Sequence, residues 1–168
     1  MSTTTKSKVP SVPDKGSAAS ISYADDVFGW VGQQIELLKA GRLTEIDADN
    51  VAEELADVAH NQYDKLESAL RVLLLHFLKW DHQPTLRSKS WVFSIRTQRR
   101  HIARVLKKNP SLKPHIAEAI GEAYSDARDE AEEETGLSKN VFELICPYDW
   151  DAILTRAVEF GDIRSPEK

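Results

Sequence analysis

Val51, Leu55, Val58, Gln62, Leu66, Ala69, Leu73, His76 and Trp80 follow one another at steps of three and four. That spacing keeps one face of an α-helix on a single side, because 3.6 residues make a turn. The stretch predicts one helix of about 30 residues, or two joined at a kink. Asp47 or Asp49 can cap its start with a side-chain oxygen. Pro84 ends it, since proline disfavours helical geometry in the residue before it. A long amphipathic helix gains most of its stability by packing its apolar stripe, so the rest of the chain must supply partners for it.

Three further segments carry the same periodicity. A first helix is expected over about residues 24–40, where Phe28, Val31, Ile35 and Leu38 recur and Gly41 is placed for a left-handed cap. A third should start at Ser88 or Ser90 and end before Asn109-Pro110, with Trp91, Ile95, Gln98, Ile102 and Val105 inside. A fourth should follow Ser111, take Pro114 in its first turn, and end at Thr135-Gly136-Leu137. Its stripe is Ile116, Ile120, Ala123, Ala127 and Ala131, whose alanines permit close approach to a neighbour. A short helix is expected near Trp150–Val158. With only seven glycines and 41% hydrophobic residues, the composition favours helices over a turn-rich β fold. The connections are short, and the expectation is an all-α, antiparallel up-down bundle of about four main helices plus a short C-terminal helix. Residues 22–160 read as a single domain. Residues 1–21, rich in Ser, Thr, Lys and Pro, read as a disordered tail, and 161–168 as a frayed end.

A single cysteine, Cys146, excludes an internal disulfide and fits a reducing compartment. The most apolar run, Val72–Leu78, is broken by His76 and falls short of the roughly 20 residues a membrane span needs. The first residues lack the apolar centre of a signal peptide. A cytoplasmic location with no membrane partner is the expectation.

The net charge of −5 hides an asymmetry. Residues 1–78 are net −5, residues 79–115 net +9 and residues 116–168 net −9. Arg96, Arg99, Arg100, Arg104, Lys107 and Lys108 all fall on the third helix. One reading is a basic face for nucleic acid, with Arg96, Arg100, Arg104, Lys107 and Lys108 as its contacts. The other is internal pairing with the acidic fourth helix, placing Arg96 near Asp126 or Asp129, Arg100 near Glu122 and Lys89 near Glu132. Internal pairing would also let the unfavourably charged ends of the two helices offset each other. It is the preferred reading, so nucleic acid is not expected as a partner.

The chemistry-bearing residues are few. Glu54 and His76 flank or occupy the apolar stripe of the second helix, and a buried charge needs a partner. A polar network joining Glu54, His76, Gln98 and Arg99 is therefore expected to be structural. The Glu54–His76 region is where an enzyme or metal protein would work, if the chain were one. Glu53, Asp57, His60 and Asp64 repeat at steps of four, three and four, a pattern that can hold a divalent metal when a second helix supplies matching ligands. No second helix does so, and a solvated face is expected. Cys146 has no neighbouring base in sequence, which argues against a thiol nucleophile. No phosphate-binding glycine loop, zinc spacing or serine-nucleophile motif is present, and no cofactor is indicated.

The chain resembles the bacterial domain-of-unknown-function family number twenty-nine from about Tyr23 to Ile153. Carrying the resemblance are Trp30 with Leu37-Leu38 and Gly41; Glu53-Glu54-Leu55; the run Leu74 to Trp80; Gln83-Pro84; Arg87; Ser90-Trp91; and Gln98-Arg99. Pro110-Ser111-Leu112, Tyr124 with Ala127-Arg128, Glu134 to Leu137, and Cys146-Pro147-Tyr148 complete it. Asn109 and the pair Phe142-Glu143 depart from the family's pattern. The resemblance implies a helical fold in a bacterial protein and carries over no catalytic residue. The reading that remains is a noncatalytic helical interaction module with a protein partner, and long amphipathic helices also allow self-association into a homo-oligomer. A nucleic-acid-binding module using the third helix is one alternative, and an enzyme or metal protein using the Glu54–His76 region is the other.

Overall fold

The computed structural model describes residues 21–159. The expected tail, apart from Ile21, and the expected frayed end lie outside the described residues. No strand occurs among the described residues, and five α-helices and four short 3-10 helices account for most of them. The chain is all-α. It divides after Leu55 into two compact units.

In the first unit, α1 spans Val27–Lys39. It starts three residues later than the periodicity alone places it, because the Asp26 carboxylate accepts a hydrogen bond from the Gly29 amide at 2.8 Å. That bond occupies one of the free N–H groups every helix start leaves over. Gly41, at φ 69°, adopts the left-handed geometry that ends the helix. A 3-10 turn at Leu43–Glu45 leads to Asp47, whose side chain accepts from the Asn50 amide and whose carbonyl accepts from the Val51 amide. Asp47 thus opens the long helix α2, Ala48–His82.

The 35 residues of α2 form one helix, and from Ala56 onward they belong to the second unit. The second half carries the core: Leu66, Leu70, Leu73, Leu74, Phe77 and Leu78 are fully buried. Each such side chain contributes about 1.5–3 kcal/mol by leaving water. In the first half, Leu55 and Val58 are exposed, although the stripe runs through them. Periodicity shows which face is apolar; it does not show that an element lies opposite.

The partners of α2 are α3, Lys89–Lys108, and α4, Ile116–Thr135. Asn109, at the end of α3, donates to Gln62, while Lys79 lies over the Trp91 ring near its start. The two helices are therefore antiparallel. Tyr63 donates to Glu122, Arg71 pairs with Glu130 and Lys79 pairs with Glu134, so α2 and α4 run parallel. The order up, down, up agrees with the expected topology within this unit. Ser88 caps α3. Pro110 and Pro114, which lack amide hydrogens, hold residues Pro110–His115 in a 3-10 helix, so α4 begins two residues after Pro114 rather than around it. Ala119, Ala123, Ala127 and Ala131 are buried along α4, and Gly136 caps it at φ 69°.

The C-terminal segment ends in α5, Trp150–Thr155, capped by Asp149. Phe142, Tyr148, Ile153 and Val158 join the core. Arg99 of α3 donates to the carbonyls of Ile153 and Arg156, both at 2.8 Å, and so closes the C-terminal end of α5.

Candidate interaction surfaces

Helix α1 is inverted relative to ordinary amphipathic packing. Its buried residues are Trp30 and Gln34. The Trp30 indole donates to Asp47 at 3.2 Å, Gln34 accepts from the Asp47 amide at 2.9 Å, and Asn50 donates to Asp47 at 2.7 Å. The hydrogen bond from Asn50 holds the Asp47 carboxyl below the usual carboxylate range. Tyr23 stacks edge-on against Trp30 and donates to Glu54 at 2.8 Å. This polar cluster fixes the inner side of α1. The apolar stripe faces outward: Phe28 is 92% exposed, and Ile35 and Leu38 are exposed with it. Phe28, Val31, Ile35 and Leu38 have the three-four spacing of a helix seam. A contiguous apolar stripe in water is a mark of an interaction site.

Of the four residues of the expected polar network, Glu54 belongs to the first unit, and His76, Gln98 and Arg99 of the second unit share no hydrogen bond with one another. Glu54 accepts from Tyr23, and the His76 ring bonds the Val72 carbonyl of its own helix at 2.7 Å. Arg99 caps α5, and Gln98 is half-buried without a hydrogen bond to the other three. Burial holds the His76 imidazole below its ordinary range, so it is neutral at pH 7. Among the described residues no group of three His, Cys, Asp or Glu side chains has metal-binding geometry. Glu53, Asp57 and His60 are exposed along α2. Burial pushes the Cys146 thiol up, which keeps it protonated and a poor nucleophile.

The pairing expected between the third and fourth helices is also absent. Glu122 takes Tyr63, Glu130 takes Arg71, Glu134 takes Lys79, and Asp129 takes Lys139. The acids of α4 are thus satisfied by α2 and by the loop that follows. On α3, Lys89, Arg96, Arg100, Arg104, Lys107 and Lys108 are exposed, and no ion pair within 4.0 Å forms on any of them among the described residues. Arg100 donates only to Thr97 of its own helix. Glu159 shares a shallow hollow with Lys89, Phe93 and Arg96. Spacing along the chain does not fix the rotation of a helix about its axis. The cations of α3 lie opposite its buried stripe of Val92, Ile95, Ile102 and Leu106.

No helix among the described residues is long and apolar enough to cross a membrane. Over residues 22–158 the chain matches the family described as domain of unknown function DUF29. No curated protein and no solved structure matches it.

Proposed function

The chain belongs to the DUF29 family, and from that premise we propose that it is a noncatalytic, cytoplasmic interaction module that docks a protein partner on the outer face of α1. The observation that carries the reading is the seam in which Phe28, Ile35 and Leu38 are exposed around a half-buried Val31. Its spacing matches an amphipathic helix of a partner laid alongside, with apolar residues at three-four steps of its own. The polar cluster beneath the seam supports a rigid platform, because Trp30, Gln34 and Asp47 are bonded to one another. Affinity purification from the native organism tests the reading, comparing wild type with Phe28→Glu and Ile35→Glu. Proteins retained by wild type should be lost from both variants while helix content, read by circular dichroism, stays the same. An identical set of retained proteins on all three baits contradicts it.

A second reading has its own support in the unpaired cations of α3. It assigns that face to a nucleic acid, through phosphate contacts rather than base stacking, because Phe93 is the one exposed aromatic on it.

A further inference from the structure

Beyond α1 and α3, one groove of about 500 Å³ runs between α4 and the segment Leu144–Tyr148. That volume lies within the roughly 300–1,000 Å³ typical of small-molecule sites. One wall is α4, where Ala117, Gly121 and Ser125 form an open floor of small residues and Ile120 adds apolar surface. The other wall is Leu144 and Ile145, which stand 81% and 80% exposed side by side. A Cβ built on Gly121 meets no atom within 4 Å, so the floor is open.

Arg128 lines the same groove and is only 8% exposed. Its Nη2 donates to the carbonyls of Lys139 and Phe142, each at 3.3 Å. Its Nε is buried with no hydrogen-bond partner, and no carboxylate pairs with it among the described residues. A buried guanidinium without a counter-charge is costly, and two carbonyl dipoles do not neutralise it. The nearby acid Asp129 is taken by Lys139. Buried cation and exposed apolar rim together select an amphiphile: an apolar chain that ends in an anion able to accept from a planar guanidinium.

We propose that this groove binds an apolar monocarboxylate of the medium-chain fatty-acid class, with the carboxylate on Arg128 and the chain along Gly121 between Ile120 and Leu144. From Ala117 to Arg128 the helix advances about 17 Å at roughly 1.5 Å per residue, enough for a chain of that class. The site is independent of the α1 seam and of the α3 face, so its failure leaves both readings intact.

Cys146, the chain's one cysteine, lines the groove and reports on its occupancy. The experiment measures the rate of Cys146 alkylation at mildly alkaline pH in the full chain. Decanoate is the probe, kept below its micelle concentration, and decylamine is the control of equal length and opposite charge. At a decanoate concentration of about ten times Kd, alkylation should slow about tenfold, since the free fraction falls as 1 + [L]/Kd. Decylamine should leave the rate unchanged. Gly121→Leu fills the floor without meeting protein atoms at its Cβ, and should abolish the protection while circular dichroism shows an unchanged helix content. Absent protection by decanoate, equal protection by decylamine, or protection that survives Gly121→Leu overturns the proposal.

Discussion

Asp81, near the end of α2, holds two side chains from the C-terminal segment. Arg156 donates to it through both terminal nitrogens, and Tyr148 donates at 2.7 Å. Burial by itself would raise the Asp81 carboxyl; these hydrogen bonds outweigh it and leave the group below its ordinary value of 3.8. Burial, reinforced by the Asp81 hydrogen bond, pushes the Tyr148 hydroxyl well above its usual range. A carboxyl whose folded pKa is depressed adds stability above its unfolded pKa and loses it as the pH falls through the folded value. Asp81→Asn should therefore lower the unfolding free energy at pH 7 by about 1–3 kcal/mol, because Arg156 loses its counter-charge. The gap between wild type and variant should narrow as the pH drops from about 5 to below 3. Glu67 works in the opposite direction, since burial raises it and its Oε1 has no hydrogen-bond partner. Urea titrations of both proteins across that range isolate the Asp81 contribution; a gap independent of pH contradicts it. None of this was legible in the sequence. Asp81, Tyr148 and Arg156 lie up to 75 residues apart, and no periodicity links them.

At the scale of elements, the sequence is readable where local chemistry decides. The Ser88 cap, the glycine-terminated end of α4 and the stop at Pro84 all follow from side chains or backbone within a few residues. It is unreadable where rotation about a helix axis decides. Spacing about the turn pairs Arg96 with Asp126, yet the α3 cations turn to water and the α4 acids turn to α2. His76 and Gln98 both fall on inner stripes, yet the His76 ring bonds Val72 of its own helix and no hydrogen bond joins the two. The cations on α3 make a prediction of their own. If they are a phosphate-binding face, affinity for mixed duplex DNA or RNA should fall steeply with salt, with a log–log slope of about −4 to −5. Arg100→Glu combined with Arg104→Glu should then reduce affinity at low salt by at least about tenfold. No binding by wild type at low ionic strength contradicts this reading.

For the molecule as a whole, a net charge of −5 sets a repulsive background for any polyanion, while it leaves an apolar docking face unaffected. That difference favours α1 as the docking face. Its seam was visible as a spacing of Phe28, Val31, Ile35 and Leu38; that it faces water was not, because Trp30, Gln34 and Asp47 claim the inner side through hydrogen bonds that no hydropathy pattern encodes. The most direct test places a photo-activatable benzophenone side chain at position 35, on the seam, and in a second protein at position 53, an exposed polar site on α2. After irradiation in the native cell, position 35 should give a discrete covalent adduct with one protein and position 53 should give none. Equal adducts at both positions, or no adduct at position 35, would contradict the claim that α1 carries the partner.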